Sequence, residues 1–420
     1  MSTLPRRPAI LVLTQVLPYP LDSGPKVRAY HTLTWLVRHA DVTLVSFVRA
    51  DDPPAAVEHL AGLGLTVRTV PIHRSRLRNA LDLARAMLTG RSFIILRDGV
   101  PAMRRLVAGL LATGRFDAVH SDQLWMAQYA LAVPRARGGS AGRPLLRILD
   151  NHNAVYRIFE RLAAHDPHPL RRIIFRREAR LLARYEAACL TRFDRTVFVS
   201  ATDRDAVLEM LPTAERAAAR TRTRVLPICI ATDQYLPLHP AVDARRLTVL
   251  GTMYWPPNME GVLWFASEIW PAILDAQPKA LLTILGKNPP LAVRDLAVRW
   301  GNRVAVTGYV ADPRPFLAET AVFLVPLRSG GGMRVKILEA WGWALPVVAT
   351  TIGAEGIDVR PGEDILLADD PAEFAAAVIA LLADPARRRA LGQAGRRSVE
   401  ARYDAPKVYE AWRDVYDTIL

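Results

Sequence analysis

Short apolar runs alternate with longer amphipathic stretches from one end of the 420-residue chain to the other, and that rhythm restricts the fold more than any single motif does. In the first half the runs lie at 9–13, 42–47, 66–70, 118–120, 145–149 and 196–199. Most are near-continuously apolar, as expected for strands buried on both faces of a parallel sheet. The stretches between them, such as 27–39, have the length and period of helices, so the pattern reads as parallel βαβ units. A second series starts at Leu247 and continues through 281–285, 303–307, 321–325, 346–349 and 365–367. Between the two series, residues 226–246 lack helical period and hold Pro227, Pro237 and Pro240, which interrupt regular structure. The expectation is an α/β chain of two doubly wound domains, 1–235 and 236–404. A docking helix is expected at 405–420, where Val408, Trp412, Val415, Tyr416 and Ile419 recur at helical spacing.

Composition narrows the classes further. With 51% hydrophobic and 23% charged residues, the chain is too long for one ordinary core and too apolar for disorder. Two cysteines, Cys189 and Cys229, cannot build a disulfide framework or a cysteine-based metal site, which favours a reducing, cytoplasmic compartment. The N-terminal apolar run is broken by Thr14 and Gln15 and ends in Pro18-Tyr19-Pro20 without a small-residue cleavage site, so a strand is expected there rather than a signal peptide. Nowhere do about eighteen apolar residues run together, so no membrane span is expected.

The net charge of +14 is concentrated in one half: residues 1–240 hold 35 Lys and Arg against 20 Asp and Glu, and residues 241–420 hold 20 against 21. Such an imbalance faces an anionic partner or clothes solvated helix faces. No aromatic-rich strand or zinc motif accompanies it, so nucleic acid is not expected. Residues 157–195 contain ten arginines. There Leu170, Ile173, Ile174, Leu181, Leu182 and Tyr185 make an apolar stripe, with Arg171, Arg172, Arg176, Arg177, Arg180 and Arg184 on its flanks and opposite face. A basic amphipathic helix of this kind lies in an anionic lipid interface or packs on its own sheet with the arginines outward.

In parallel sheets ligands sit at the carboxyl ends of the strands, so the residues just past each run matter most. Three runs of the second series end in glycine, at Gly251-Thr252-Met253, Gly286-Lys287 and Gly308-Tyr309-Val310. A fourth is followed by Ser329-Gly330-Gly331-Gly332-Met333-Arg334-Val335-Lys336-Ile337-Leu338-Glu339. Three glycines opening a helix would present amides and a positive helix end to an anion. Arg334 and Lys336 add cationic donors for a diphosphate, and Glu339 shares a helical face with Lys336, available to ribose hydroxyls. In the first series Asp150-Asn151-His152-Asn153 follows a run at a ligand-binding strand end, and His120 follows another; neither histidine is expected in a metal-ligand cluster.

The segment from Gly330 through Glu339-Ala340 to Ala349, with Gly353-Ala354-Glu355-Gly356, resembles the nucleotide-sugar site of family-4 retaining glycosyltransferases. Similarity extends to Gly251-Thr252-Met253 with Pro257-Asn258, Gly308-Tyr309-Val310, Pro361-Gly362 and Asp369-Asp370-Pro371. In the first half it extends to Asp22-Ser23-Gly24-Pro25-Lys26-Val27-Arg28, His152-Asn153 and residues 199–204. The resemblance implies the GT-B fold, two Rossmann-like domains facing a cleft, with the C-terminal helix returning to the first. It implies that Glu339 binds the nucleotide ribose, that Lys336 holds the pyrophosphate, and that Gly308, Tyr309 and Val310 border the base. Gly24 would face the donor phosphates, and His152 would lie near the transferring carbon and the acceptor. The resemblance implies no metal and no cofactor beyond the donor substrate.

The chain departs from the family pattern at three places. Gly331 stands where the first motif glutamate is usual, no Arg/Lys pair follows Gly251, and the linker reads Pro227-Ile228-Cys229-Ile230-Ala231. The expected catalytic set is therefore His152, Lys336 and Glu339, and the expected donor-binding set is Gly24, Gly251, Gly308 to Val310, Gly330 to Arg334, Lys336 and Glu339. The expected activity is retaining transfer from a nucleotide diphosphate sugar to a hydroxyl on a saccharide or lipid-linked saccharide, in exopolysaccharide or other cell-surface glycan biosynthesis. The protein would be cytoplasmic or peripheral on the cytosolic membrane face. Two alternatives are a nucleotide-sugar epimerase, which would turn over without acceptor, and a non-catalytic basic membrane-surface protein, which would bind liposomes but no nucleotide sugar.

Overall fold

The computed structural model describes residues 6–134, 144–166 and 168–420. They form two compact units, one of residues 1–228 with 406–420 and one of residues 229–405.

The first unit is a seven-stranded parallel sheet: β1 (Ala9–Thr14), β2 (Asp41–Val48), β3 (Thr66–Pro71), β4 (Ala118–Asp122), β5 (Leu146–Asn151), β6 (Arg195–Phe198) and β7 (Thr223–Val225). Its spatial order is β3-β2-β1-β4-β5-β6-β7. Ile10 to Leu13 of the central β1 are almost wholly inaccessible, because helices cover a parallel sheet on both faces. The second unit repeats the plan with β8 (Arg246–Leu250), β9 (Leu281–Leu285), β10 (Val304–Gly308), β11 (Thr320–Val325), β12 (Val347–Ala349) and β13 (Leu366–Leu367), ordered β10-β9-β8-β11-β12-β13. In each unit the winding reverses, between β1 and β4 and between β8 and β11; ligands of doubly wound sheets bind at such switch points.

The expected runs became strands with ends shifted by a residue or two. β7, a Thr-Arg-Val triplet, escaped notice because it is short and polar. The division between units falls after Ile228 rather than at 235/236. Ile230 exchanges backbone hydrogen bonds with Tyr403 and Ala405, and the Thr232 hydroxyl donates to Asp404 at 2.7 Å. Residues 229–235 are thereby tied to the second unit ahead of its first strand.

The C-terminal segment belongs to the first unit. It is not one α-helix: a turn at Ala405–Val408 passes into a 3₁₀ segment at Tyr409–Asp414. Residues three apart eclipse on a 3₁₀ turn, which brings Tyr409 and Trp412 together over the Arg28 guanidinium, 5.3 and 5.0 Å from the two ring centroids. Trp412, Val415 and Tyr416 of the expected stripe are buried, with Val408 and Ile419 half-buried.

Residues 157–195 also depart from expectation. They fall in two helices, Val155–His165 and Pro169–Arg192, with Pro167 outside the described residues. On the longer helix the buried face is Glu178, Ala179, Leu182, Glu186, Ala187, Cys189 and Leu190, whereas Leu170 and Ile173 are exposed. The expected stripe omitted the two glutamates, yet each is buried because it caps another helix. Glu178 accepts from the Phe93 and Ile94 amides at 3.1 and 3.0 Å, and Glu186 accepts from the Val155 and Tyr156 amides at 2.9 and 3.0 Å.

In the second unit the helix Val335–Gly342 lies against Pro385–Arg402 with almost no gap. A Cβ on Gly395 would stand 2.3 Å from the Trp341 ring, and one on Gly392 would stand 2.0 Å from the Ala344 carbonyl. Gly395→Ala is expected to destabilise the protein by about 1–3 kcal/mol through overpacking. Thermal unfolding checks this, since about 2–4 °C is lost per kcal/mol in a domain of this size. An unchanged melting temperature would contradict the packing described.

Candidate active site

Each unit gathers polar groups at the carboxyl ends of its central strands. In the second unit those ends are laced together, the Gly251 amide donating to Leu285 at 3.0 Å and the Gly286 amide to Gly308 at 2.9 Å. Glycine is required at Gly286 because a Cβ there would fall 1.7 Å from the Gly251 carbonyl oxygen. A Cβ on Gly251 would meet the Lys336 ammonium at 2.7 Å and the Asn258 amide at 2.9 Å. Lys336 thus reaches from the first turn of Val335–Gly342 to the end of β8, where its Nζ donates to Asn258 Oδ1 at 3.0 Å. Asn258 is itself fixed by donation to the Thr252 carbonyl at 3.0 Å.

The glycine triplet does not open the helix. Val335–Gly342 begins after it, with Arg334 at the N-cap. Gly330 and Gly332 turn the chain at φ +108° and +79°, conformations that glycine adopts without penalty. Arg334 folds back and donates to the carbonyls of Gly331 and, at 3.0 Å, Gly332. Arg334 thus also braces the loop, because unpaired loop carbonyls attract its donors locally. The helix-end amides stand at Val335 and Lys336, so helix polarity and the ammonium converge. Met333 is buried, packed where a Cβ on Gly356 would come within 3.2 Å of its Cγ. Gly308 is left-handed at φ +73° with open space around it; Tyr309 is exposed, with the Lys287 ammonium 4.7 Å from its ring centroid, and Val310 is half-buried.

Electrostatically Lys336 and Glu339 are a tuned pair. Burial, with Arg334 nearby, pushes Lys336 down to about 7 against the pull of Glu339. Burial pushes Glu339 up to about 7, opposed by Lys336 and by a hydrogen bond from Tyr235. The same burial and the adjoining carboxylate raise the Tyr235 phenol. An ammonium so poorly solvated gains strongly from an anionic ligand. Asn258 and Tyr235, which fix the two charged groups, were not among the expected site residues; their partners are distant in sequence.

In the first unit the ends of β1, β4 and β5 carry Thr14, Asp122 and Asn151. His152 Nε2 donates to Asp122 Oδ1 at 2.9 Å, and its Nδ1 lies 3.4 Å from Gln123 Nε2. Burial lowers the His152 pKa, but Asp122 and Asp150 outweigh it and the net shift is upward. His120 shifts down, because burial dominates over the same carboxylates. Its Nδ1 meets the Tyr416 hydroxyl at 2.7 Å. Beneath both, Arg28 is completely buried and grips Asp150 through two bonds of 2.9 and 3.0 Å, with a third to the Pro227 carbonyl at 2.7 Å. Gly24 opens the helix Gly24–His39 that carries Arg28.

The loop holding His152 is clamped from one side by Glu186, which accepts from Asn151 Nδ2 at 3.2 Å as well as from the Val155 and Tyr156 amides. Burial lifts the Glu186 carboxyl to about 7 against those hydrogen bonds. Thr14 Oγ1, Ser121 Oγ, Asp122 Oδ2, Gln123 Oε1 and Asn151 Oδ1 are buried with no hydrogen-bond partner among the described residues. Unsatisfied polar atoms clustered at a switch point mark a ligand position.

Contrary to the sequence reading, His120 does join a possible ligand group: His120, Asp122 and Asp150 offer atoms within 4.8 Å of one another. Both Asp150 oxygens are already held by Arg28, however, and Asp122 by His152. The Arg28 guanidinium thus supplies positive charge beside this carboxylate pair, and one Asp122 oxygen stays without a partner among the described residues.

Residues 244–384 match the family of glycosyl transferases group 1. That match covers about a third of the chain and lies within the second unit. Among curated relatives, a GDP-mannose-dependent monoacylated alpha-(1-6)-phosphatidylinositol monomannoside mannosyltransferase of Corynebacterium glutamicum is 34% identical over 143 residues, 32% of this chain and 38% of that protein. A lipopolysaccharide core biosynthesis glycosyltransferase, LpsE, of Rhizobium meliloti is 32% identical over 120 residues, 28% of this chain and 34% of that protein. A 44.6 kDa protein of the cps region of Klebsiella pneumoniae is 24% identical over 177 residues, 40% and 46% of the two chains. These matches span less than half the length of each relative.

Likeness of fold extends further. Anabaena Alr3699/HepE, solved with UDP, superposes with a TM-score of 0.68 at 12% identity, covering 98% of this chain and 100% of that one. A sucrose-phosphate synthase from Thermosynechococcus elongatus gives 0.69 at 16% identity over 98% and 99%. The tandem Rossmann-like units thus have the GT-B fold. The matched segment spans β8 to the helix Pro371–Ala383 and so includes the triplet, Lys336 and Glu339.

Proposed function

We propose that this protein transfers a glycosyl group from a nucleotide diphosphate sugar to a hydroxyl acceptor, with retention of configuration. The second unit holds the donor and the first unit receives the acceptor. The observation that carries this reading is the half-buried Lys336 ammonium, held against Gly251 at the start of Val335–Gly342, three residues from Glu339. A departing diphosphate needs cationic and amide donors fixed before reaction, and the Lys336 ammonium with the Val335 and Lys336 amides supplies them. Glu339 accepts from the ribose hydroxyls while Tyr235 fixes its orientation. The leaving phosphate takes the acceptor proton, and His152, held by Asp122, orients the acceptor.

The relatives named for lipopolysaccharide core and phosphatidylinositol mannoside synthesis support a lipid-linked acceptor in cell-surface glycan assembly. Such an acceptor would bring the protein to the cytosolic face of a membrane. Among the described residues no helix is long and apolar enough to cross one, so contact would be peripheral. The test is calorimetry against UDP-, GDP- and dTDP-linked sugars, followed by product analysis by NMR for anomeric configuration. Failure of every nucleotide sugar to bind would overturn the reading.

His152→Ala is expected to lower kcat by about 100-fold or more, in the range of lost acid, base or positioning groups, with little change in donor Kd. A parallel loss of donor affinity would place His152 elsewhere.

Donor affinity should also depend on pH. Burial pushes Lys336 down to about 7, and a bound diphosphate favours its charged form. Protons are therefore taken up on binding, and affinity falls as pH rises through and above about 7, by at most tenfold per unit for one proton. Glu339 ionises over the same range and restores charge to Lys336, so the slope stays below one full proton. Titrations in two buffers of different ionisation heat count the protons directly; zero uptake at pH 8 would contradict the assignment.

A further inference from the structure

The helix Arg76–Thr89 buries a single residue, Ala86. At 3.6 residues per turn, Leu77, Leu81 and Leu88 form a strip about 40° wide on the side opposite Ala86. They are 74%, 63% and 88% exposed, so the apolar strip of this amphipathic helix points away from the protein. Large side chains in that arrangement mark an interaction surface.

The surroundings are cationic. Arg76 and Arg78 flank the strip at its start and Arg85 further along. The helix's sole carboxylate, Asp82, is half-buried toward the protein side, 3.8 Å from Arg78. Arg76 and Arg85 make no ion pair among the described residues. The neighbouring helix Pro169–Arg192 is joined to this one by Arg177, which donates to the Ala86 carbonyl at 2.7 Å. That helix exposes Leu170 and Ile173 beside Arg171 and Arg176.

We propose that the leucine strip of Arg76–Thr89 docks in the interface of an anionic lipid bilayer, with Leu77, Leu81 and Leu88 entering the acyl boundary and the arginines meeting the headgroups. Apolar burial and attraction to anionic headgroups add in such helices. A second copy of this chain fits less well, because self-association would set arginine against arginine. The surface deepens the proposed placement at a membrane face, and rests on it only in the choice of lipid over other anionic partners. It moves the contact from the expected 157–195 segment, whose buried face carries Glu178 and Glu186, to a helix that the sequence reading passed over.

The test uses the full chain with vesicles of phosphatidylcholine alone or mixed with phosphatidylglycerol. Wild type is expected to co-sediment with the mixed vesicles at least about tenfold more strongly than with neutral ones, less so at high salt. The triple variant Leu77→Asp, Leu81→Asp, Leu88→Asp, altered only at exposed positions, should lose about tenfold or more while keeping its melting temperature and nucleotide-sugar affinity. Equal binding by the variant, or no vesicle binding by wild type, overturns the proposal. So does a concentration-dependent dimer in sedimentation that the variant abolishes without any lipid effect. Lys336→Met serves as the reverse control: it should lose the nucleotide sugar and keep the vesicles, which separates failure of the lipid surface from failure of the donor site.

Discussion

Lys336→Met is expected to weaken binding of the cognate nucleotide diphosphate sugar by about 100-fold, the equivalent of ~2–3 kcal/mol for a charge-assisted hydrogen bond made in a poorly solvated site. The variant keeps the chain length that fills the space beside Gly251 and Asn258, so the loss reports charge and not packing. It also removes the charge that holds the Glu339 pKa down, and the donor's ribose then meets a protonated carboxyl near neutral pH. Calorimetry against the donor identified by screening gives the number, and an affinity within threefold of wild type would remove Lys336 from the diphosphate site. Arg334→Met should behave differently. Its guanidinium braces the Gly331 and Gly332 carbonyls, so the change should loosen the loop and lower the melting temperature together with the affinity.

Arg28→Met should destabilise the protein by about 3–5 kcal/mol, as expected when one member of a buried ion pair is removed and the other charge is stranded. The Asp150 carboxylate is fully buried, and Arg28 is the principal reason its pKa stays low despite burial. The same guanidinium lies over Tyr409 and Trp412 and donates to the Pro227 carbonyl. Its loss therefore loosens the C-terminal segment from the unit it completes. Arg28→Lys should recover little, because a point charge cannot reproduce a planar two-bond contact. Urea unfolding followed by fluorescence of the nine tryptophans measures the change; a shift under about 1 kcal/mol would mean that Asp150 finds another partner.

Much of the fold was legible because parallel strands buried on both faces leave unbroken apolar runs, as in residues 9–13 and 321–325. β7 was missed because a three-residue edge strand needs little apolar character. The glycines at strand ends were legible as a series, but their reasons differ: Gly286 admits a neighbouring carbonyl, Gly251 admits an ammonium, and Gly308 faces open space. The 157–195 stripe misled because helical period ranks glutamate as polar. Glu178 and Glu186 are buried by the amides of two helix ends, which are partners that periodicity cannot register.

The amino-acid sequence by itself determined the class of fold, the two series of strands, and which residue types stand at the strand ends, since these follow from local hydrophobic period and from glycine's freedom of backbone. Only the tertiary structure decided what those residues do. It set Asn258 beneath Lys336 and Tyr235 beside Glu339, and buried Arg28 between Asp150 and the far end of the chain. The physical reason is that charge and proton affinity depend on burial and on neighbours within a few ångströms, and those neighbours lie tens to hundreds of residues away along the chain.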